Sequence, residues 1–486
     1  MPLRRPGTAS LALMSVLVAG CMAGPDYHRT AIDVPVSWKV EAPWRVSTPD
    51  DLAQKGAWWM RYDEPALDAL EHKALTASPT LAAANARLAQ ARAVVASTSA
   101  ALFPQLGLGV RAARAKISAD RPLSNYASPN LSTVQSDFVG ALTVNYEVDL
   151  AGRMRRTVEG ANASAEQSAA DLENTRLLVT TELATDYFSL RELDTEQDVL
   201  SRSIALQRRA LDFATSRHDL GATSGLDVAQ QQALLDSTLT QVDVLQKQRD
   251  QFEHAIATLV ATPAPLFALA PKAGERLPPT VPIGVPSDVL ERRPDVASAE
   301  RAMAAANAQI GVASAAFYPS IMLSPGYGVE STSLASLFSA PSLLWSLGVS
   351  VAQPIFDAGR LQANVDFARG GYDVTVANYR RVVLTAMQEA EDGITGLAAL
   401  DRASAQADRA IDSAQRVLDL ATSRYEGGVA TYLDVITAQQ GLLTNERLAA
   451  QLAGQRLVTS VFLVKALGGD FDGGGRLAVS SPPRSR

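Results

Sequence analysis

The sequence contains little of what enzymes and extracellular domains commonly use for chemistry and cross-linking. Its 486 residues include one cysteine, which excludes an internal disulfide framework and a thiolate metal cluster. Beyond the N-terminus there is no apolar run of 18 or more residues, which excludes a bundle of membrane-spanning helices. The formal net charge is −7, which argues against nucleic acid as a partner.

Residues that form catalytic or metal sites are also scarce. The sequence has no glycine-rich phosphate loop before a helix and no serine or cysteine nucleophile in a recognisable turn. Its four histidines are scattered, and none has the spacing of a metal ligand. We therefore predict a protein that is not an enzyme and that needs no cofactor. The histidines are His28, His72, His218 and His254.

The first residues read as an export signal that leads into the single cysteine. Arg4 and Arg5 precede a short apolar stretch, and the segment ends in Leu-Val-Ala-Gly before Cys21. This arrangement resembles a bacterial lipobox, so we predict a lipoprotein signal peptide at 1–20 and lipidation of Cys21. Met22 in the following position favours the outer membrane. The alternative is an ordinary secretory signal that happens to contain a thiol.

The chain consists of two copies of one unit. Residues 211–228 and 418–435 are identical at ten of eighteen aligned positions, and the same offset relates Arg153 to Arg360. Several matches in the same order along a chain indicate duplication. The predicted parts are a signal peptide at 1–20, an extended N-terminal segment at 21–79 that carries the lipid anchor and contributes to an equatorial domain, repeat 1 at 80–262, a Pro-rich connector at 263–287, repeat 2 at 288–469 and a disordered tail at 470–486.

Each repeat has the same order of predicted elements: strand, strand, long helix, tip and returning helix. A helix of nearly 70 residues would be ~100 Å long, and its 3-4 apolar spacing favours helix-on-helix packing of the coiled-coil kind. In repeat 1 we predict strands at about 104–116 and 136–149, a long helix at 153–220 and a tip at 221–226; in repeat 2, strands at about 319–330 and 343–356, a long helix at 360–427 and a tip at 428–432.

The strands alternate between apolar and other residues, as 138–149 and 345–355 show most clearly. Open strand edges are costly in lipid, whereas a closed barrel pairs them all. Three protomers with four strands each would close a twelve-stranded barrel. The alternative is a soluble four-stranded sheet packed on helices, but the predicted helices are much longer than the strands that they would cover.

Several short motifs occur in the order seen in one family. The most specific block is 286–296, which reads PSDVLERRPDV, followed by AAANAQIG at 304–311. Together the motifs resemble outer-membrane efflux factor lipoproteins of the TolC/NodT type over 21–469. The resemblance implies a mainly α fold with a β-barrel part: a trimeric, twelve-stranded outer-membrane barrel joined to a long periplasmic α-helical barrel. The other matching segments are 21–27, 150–153, 357–360 and 466–469.

The helix tips carry one pattern in both repeats: an arginine, a glycine four residues later and an aspartate six residues after that. Glycine permits a tight reversal of the chain, and the acid would lie in the first turn of the returning helix, where it can cap the helix. The resemblance implies that these tips dock the periplasmic adaptor. The docking candidates are Arg217, Gly221, Asp227, Arg424 and Gly428, and the second aspartate of the pattern is Asp434.

The resemblance also places a periplasmic gate on the second tip, with Leu433 in an apolar ring on the threefold axis. Family members often have Asp in place of Thr437 and Arg in place of Gln440, so this chain lacks the ion pair expected there. A ring of three Asp434 carboxylates would favour cations instead.

We therefore predict the passive exit duct of a tripartite efflux pump, for drugs or other small molecules. The location would be the outer membrane of a Gram-negative bacterium, with the chain anchored at Cys21 and extending into the periplasm. The predicted partners are two further copies of the chain, a periplasmic adaptor (membrane fusion) protein, an inner-membrane RND-type transporter and outer-membrane lipid. The alternatives are a structural coiled-coil envelope lipoprotein and the exit duct of a secretion system.

Overall fold

The structure is a computed structural model that describes residues 22–30, 56–120, 132–274, 277–279 and 292–469. The predicted signal peptide, Cys21 and the predicted tail at 470–486 lie outside the described residues. The Pro-rich connector, the N-terminal segment and the 286–296 motif lie partly outside them.

The described chain is mostly helical, with four strands. Within the described ranges, no helix combines the length and the hydrophobicity that a membrane-spanning helix requires. The first half contains helices α1 (Pro65–Ala77) and α2 (Pro79–Ala100), strands β1 (Gln105–Ile117) and β2 (Thr133–Val148), and helices α3 (Arg153–Asp219) and α4 (Gly225–Leu259). The second half contains α5 (Pro294–Ala315), β3 (Ser320–Ser331), β4 (Leu343–Ala352), α6 (Arg360–Glu426) and α7 (Tyr432–Ala466).

The two repeats have helices of equal length. Helices α3 and α6 have 67 residues each, which corresponds to ~100 Å, and the returning helices α4 and α7 have 35 residues each. Strand β4 is shorter than the sequence predicts, because it ends at Ala352 and not at 356. Pro354 has no N–H to donate, and the side chain of Gln353 donates to the carbonyl oxygen of Phe317 at 3.0 Å.

The four strands form one antiparallel sheet in the order β1-β2-β3-β4. Directly paired residues share a face, and one such row joins Leu108, Leu142, Tyr327 and Trp345. This face is apolar across all four strands and exposed, with Leu108 at 72% and Trp345 at 73% of full exposure. Within the described residues, the outer edges of β1 and β4 pair with no strand.

The chain divides into two compact units. Among the described residues, the first contains the sheet and consists of 22–30, 88–120, 132–168 and 299–379. The second consists of 56–87, 169–274, 277–279, 292–298 and 380–469, and it contains an extensive hydrophobic core.

The core of the second unit is built around a short 3-10 helix, Trp58–Tyr62, which precedes α1. The part of the N-terminal segment from Trp58 to Ala77 is thus mostly helical and not extended, because Leu67, Leu70 and Ala74 recur at helical spacing and are buried in this core. The ring of Tyr62 packs on Phe188 of α3, with ring centroids 4.9 Å apart. Its hydroxyl hydrogen-bonds to Ser460 Oγ of α7 at 2.8 Å. Helices α3 and α7, which belong to different repeats, are thus joined by an aromatic residue that precedes both repeats.

Candidate functional site

The tip of repeat 1 is closed by a glycine in the left-handed region. Gly221 has φ +70°, a conformation that residues with a Cβ rarely adopt. The N–H of Ala222 donates to the carbonyl oxygen of Arg217 at 2.8 Å, and the N–H of Gly221 donates to that of His218 at 2.8 Å. These two bonds define a Schellman motif, which satisfies the last carbonyls of α3.

The tip of repeat 2 has the same geometry. Gly428 has φ +74°, and its N–H donates to the carbonyl oxygen of Tyr425 at 3.0 Å. The N–H of Val429 donates to the carbonyl oxygen of Arg424 at 2.9 Å. The arginine and the glycine of the repeated pattern therefore occupy equivalent places in two equivalent helix ends.

The two aspartates of the pattern differ in role, because Asp434 takes part in the cap of its returning helix whereas Asp227 does not. Asp434 Oδ2 accepts hydrogen bonds from the N–H of Thr431 at 2.9 Å and from its hydroxyl at 2.8 Å, which forms a capping box. Asp227 accepts a hydrogen bond from the hydroxyl of Thr223. The cap of α4 itself is Ser224, whose Oγ accepts the N–H of Leu226 at 3.1 Å.

A stack of aromatic and cationic side chains joins the two tips. The guanidinium of Arg217 lies 5.3 Å from the ring centroid of Tyr425 and 5.8 Å from that of Phe213. The rings of Tyr425 and Tyr432 follow at 5.0 Å. Because Arg217 belongs to repeat 1 and both tyrosines to repeat 2, this stack holds the two helical hairpins together by cation–π and aromatic contacts.

A buried hydrogen-bond chain continues from this stack. Tyr432 is 5% exposed, and burial, with Tyr425 and Asp227 nearby, raises its pKa to about 12. Its hydroxyl donates to Gln231 Oε1 at 2.9 Å, and Gln231 Nε2 donates to the carbonyl oxygen of Gln207 at 3.1 Å. Sequence analysis gave no role to Tyr432 or Gln231, which are 201 residues apart and share no motif.

The four gate candidates lie on the exposed side of α7. Leu433, Asp434, Thr437 and Gln440 are all exposed, and Leu433 retains 53% of its full exposure. Thr437 Oγ1 donates to the carbonyl oxygen of Leu433 at 2.8 Å, within the helix. Among the described residues, no ion pair involves any of the four. The opposite side of this turn is buried and contains Tyr432, Val435 and Ile436.

The described part of the 286–296 motif has a structural role. Arg293 is 4% exposed and forms ion pairs with Asp295 at 2.6 Å and with Glu389 of α6 at 2.7 Å. It also donates to the carbonyl oxygen of Ala466, the last residue of α7, at 3.1 Å. One buried guanidinium thus joins the start of α5 to α6 and to the end of α7.

The residues that follow Cys21 are held in the first unit by Arg156 of α3. The side chain of Arg156 is 2% exposed and forms ion pairs with Asp26 and Glu159, both at 2.8 Å. It also donates to the carbonyl oxygen of Ala23 at 3.2 Å. The N–H of Ala23 donates in turn to the carbonyl oxygen of Ala151, just before α3, at 3.0 Å.

Close backbone packing also holds residues 22–26 in place. A Cβ at Gly24, where φ is +86°, would lie 2.6 Å from the Cα of Gly311 in α5. A Cβ at Gly311 would lie 2.8 Å from the side chain of Arg156. Only glycine fits at these two contacts, and residues 22–26 are therefore fixed against both α3 and α5.

Among the described residues, no group of three His, Cys, Asp or Glu side chains is arranged to hold a metal ion. The features that remain are the two helix tips, the exposed side of α7 and the exposed apolar face of the sheet.

Comparisons with known proteins agree with this geometry. A family model described as outer membrane efflux protein matches residues 70–262 and 285–469. The pyoverdine export outer membrane protein OpmQ of Pseudomonas aeruginosa is 32% identical over 463 residues, which cover 95% of this chain and 96% of that protein. The toluene efflux pump outer membrane protein TtgF of Pseudomonas putida is 30% identical over 481 residues, or 98% of each protein.

A solved structure shows the same fold. The outer-membrane channel OprN superposes with a TM-score of 0.85 at 26% identity, which covers 93% of this chain and 100% of that chain. The family match covers most of both repeats, and the relatives match over nearly their whole length. The protein is an outer-membrane component of an efflux system, as the motifs predict. The chain belongs to the outer membrane efflux protein family.

Proposed function

We propose that three copies of this chain close a twelve-stranded barrel in the outer membrane and form the exit duct of a tripartite efflux pump. The observation that carries this proposal is the sheet, with its two unpaired edges and one continuous exposed apolar face. Unpaired backbone groups are too costly to leave in lipid. Pairing β1 of one copy with β4 of the next removes every edge and turns the apolar face toward lipid.

Exposed aromatic residues support a membrane boundary at one end of the strands. Phe103 lies just before β1, Tyr318 just before β3 and Phe356 beyond the end of β4, and all three are more than half exposed. Aromatic girdles are typical of barrel strands at the membrane–water interface. These residues would mark the periplasmic interface, since the helices begin and end on the same side of the strands.

The position of residues 22–26 supports a lipid anchor at this same membrane boundary. Met22 contacts Gly152, between β2 and α3, with its Cγ 3.0 Å from where a Cβ of Gly152 would lie. Cys21 is the residue directly before Met22 in the chain. Acyl chains on Cys21 would enter the inner leaflet beside the barrel. Lipidation would thus attach the duct where its own strands meet the membrane.

The helical hairpins would form the periplasmic tunnel, and their tips would be its gate. The exposed side of α7 with Leu433, Asp434, Thr437 and Gln440 would face the threefold axis, with Leu433 as the apolar constriction. Without the ion pair of other family members, closure would depend on the stack of Arg217, Tyr425 and Tyr432 and on its bond to Gln231. These contacts would keep the two hairpins together although Thr437 and Gln440 cannot form the ion pair.

The tips with Arg217, Gly221, Asp227, Arg424 and Gly428 would dock a periplasmic adaptor, and an RND-type inner-membrane transporter would supply the energy. The duct itself would perform no chemistry and would need no cofactor. Opening would separate the tips, a change that adaptor contacts could favour. The exported compounds would be drugs or other small molecules.

The test is the behaviour of the full-length protein, purified from the outer membrane in detergent. We expect a trimer that persists in SDS without heating, dissociates on heating and conducts ions in planar bilayers. A purely monomeric species, or a rod-shaped trimer without conductance, would contradict the duct and favour a structural envelope lipoprotein. Neighbouring genes for an adaptor and an RND transporter, rather than for a secretion ATPase, would identify the pump.

A further inference from the structure

Strand β1 carries a pair of cations on its apolar side. Leu106, Leu108 and Val110 alternate along the exposed apolar face, and the same alternation continues to Arg114 and Lys116. Both cations are exposed. They pair across the strands with Ser136 and Val134 of β2, so no acid faces them from the neighbouring strand.

The acids on the strands near this end of the sheet lie on its other face. Asp137 pairs with Ala113 and forms an ion pair with Arg111. Ala113 and Arg111 lie on the face of β1 opposite to that of Arg114. Glu330 pairs with Val139, also on that face. Among the described residues, no ion pair involves Arg114 or Lys116. Among the described strand residues, no acid therefore lies on the face toward which the two cations point.

The distance along the strand places these cations at the far edge of an apolar band. From Leu106 to Lys116 there are ten residues, or ~33 Å along the strand and ~25 Å along the membrane normal at a typical tilt. That height equals the usual apolar band of an outer-membrane barrel. Lys or Arg on a lipid-facing surface is costly at the midplane and nearly free at the interface, which fixes the pair at the interface.

We propose that Arg114 and Lys116 form a binding site for phosphate-bearing lipid headgroups of the outer leaflet. This rests on the barrel orientation proposed above, because the β1–β2 and β3–β4 connections then face the exterior. The three pairs of a trimer would surround the barrel with six cations. Long cationic side chains can keep their stems along apolar surface while their charged ends reach the headgroups.

The experiment measures lipid binding to the intact trimer in detergent by native mass spectrometry, with diphosphoryl lipid A as the probe. We expect R114Q/K116Q to bind it roughly tenfold more weakly or worse than the wild type, since each cation near an anionic surface contributes to the attraction. R114K/K116R should bind like the wild type. R111Q, which removes a cation from the same strand on the opposite face, should also bind like the wild type.

Two further arms identify the source of the phosphate. Lipid A without its phosphates should bind as weakly to the wild type as diphosphoryl lipid A does to R114Q/K116Q. Millimolar inorganic phosphate should leave bound lipid A in place. Undiminished lipid binding by R114Q/K116Q would overturn the proposal, and so would displacement by inorganic phosphate, which would indicate a site for free anions.

The same preparations separate this inference from the proposed duct. SDS-resistant trimers of R114Q/K116Q would show that the variant folds, as expected for two exposed residues. If all variants conduct ions but lipid binding is unchanged, only the headgroup site is wrong. If the wild type itself fails to conduct, the duct is wrong, whatever the lipid result.

Discussion

Glu71 of α1 is an ionisable residue in a buried environment that disfavours its charged form. It is fully buried in the second unit, and neither carboxylate oxygen has a hydrogen-bond partner among the described residues. Burial, with Asp68 nearby, raises the pKa of Glu71 to about 9. The group is therefore neutral in the folded protein at neutral pH, whereas in the unfolded chain it is ionised.

This gives the stability of the protein a pH dependence that one substitution should remove. Between the ordinary pKa of 4.5 and the raised value of about 9, the folded state holds a proton that the unfolded state releases. Keeping Glu71 uncharged therefore costs no stability below about pH 4.5, and the free energy of unfolding falls as the pH rises from there toward about 9. We expect Glu71→Gln to be more stable than the wild type by at least ~1 kcal/mol at pH 8.

Thermal unfolding in detergent at pH 5 and pH 8 measures the effect. The wild type should lose more stability between these values than Glu71→Gln does. Glu426→Gln, at an exposed position of α6, serves as the control and should behave like the wild type. An identical pH dependence in Glu71→Gln and the wild type would show that Glu71 is ionised when buried.

Asp434 combines a structural role that the structure shows with the gating role that we propose. Its carboxylate caps α7, so Asp434→Ala should cost ~1 kcal/mol of local helix stability. If three such carboxylates surround the pore axis, the variant should also lose cation selectivity, which shifts the reversal potential in a salt gradient toward zero. Asp227→Ala is the matched control, because it removes the equivalent acid of the other tip. Unchanged selectivity in Asp434→Ala would eliminate the acidic ring.

At the scale of elements, the two hairpins are linked at their tips by residues of different repeats. Helix α7 contributes Tyr432, helix α4 contributes Gln231 and helix α3 contributes the carbonyl oxygen of Gln207. The bond from Tyr432 to Gln231 joins the two hairpins, so it must break if they separate on opening. We call this bond the latch. The cost of leaving a buried amide oxygen unpaired then favours the closed arrangement.

Tyr432→Phe tests this latch by removing one hydroxyl while keeping the aromatic stack. Gln231 Oε1 would lose its partner, which costs ~1–3 kcal/mol in the latched state, and we expect a higher open probability in single-channel recordings. Tyr425→Phe is the control, because its buried hydroxyl has no hydrogen-bond partner among the described residues. That variant should gate like the wild type. Equal open probabilities for both variants and the wild type would show that the bond from Tyr432 to Gln231 does not hold the tips closed.

At the scale of the whole molecule, duplication explains how one chain supplies both kinds of element. Each repeat provides two strands and two long antiparallel helices, and the strands of both repeats join in one sheet. A sheet of four strands with an exposed apolar face is incomplete as a membrane structure. In the arrangement that we propose, one chain supplies part of a barrel wall, which is why we expect function only in the trimer.

The family, the mostly helical character and the efflux role were predictable from the sequence, and the comparisons confirm all three. The reason is physical, because helix and strand periodicity report which side of an element is buried, and local motifs report the tight turns. The glycine–aspartate pattern of the tips is such a local signal: Gly221 and Gly428 do adopt the left-handed conformation that a tight reversal needs.

Contacts between residues far apart in the chain were decided only by the tertiary structure. Three such contacts are hydrogen bonds between side chains or from a side chain to the backbone. Arg156 bonds to Asp26 across 130 residues, Tyr432 to Gln231 across 201 and Arg293 to Ala466 across 173. No periodicity encodes such pairs, because they depend on how the helices pack. Alternation predicted an apolar face for each strand, but only the register showed that the four apolar faces coincide in one sheet.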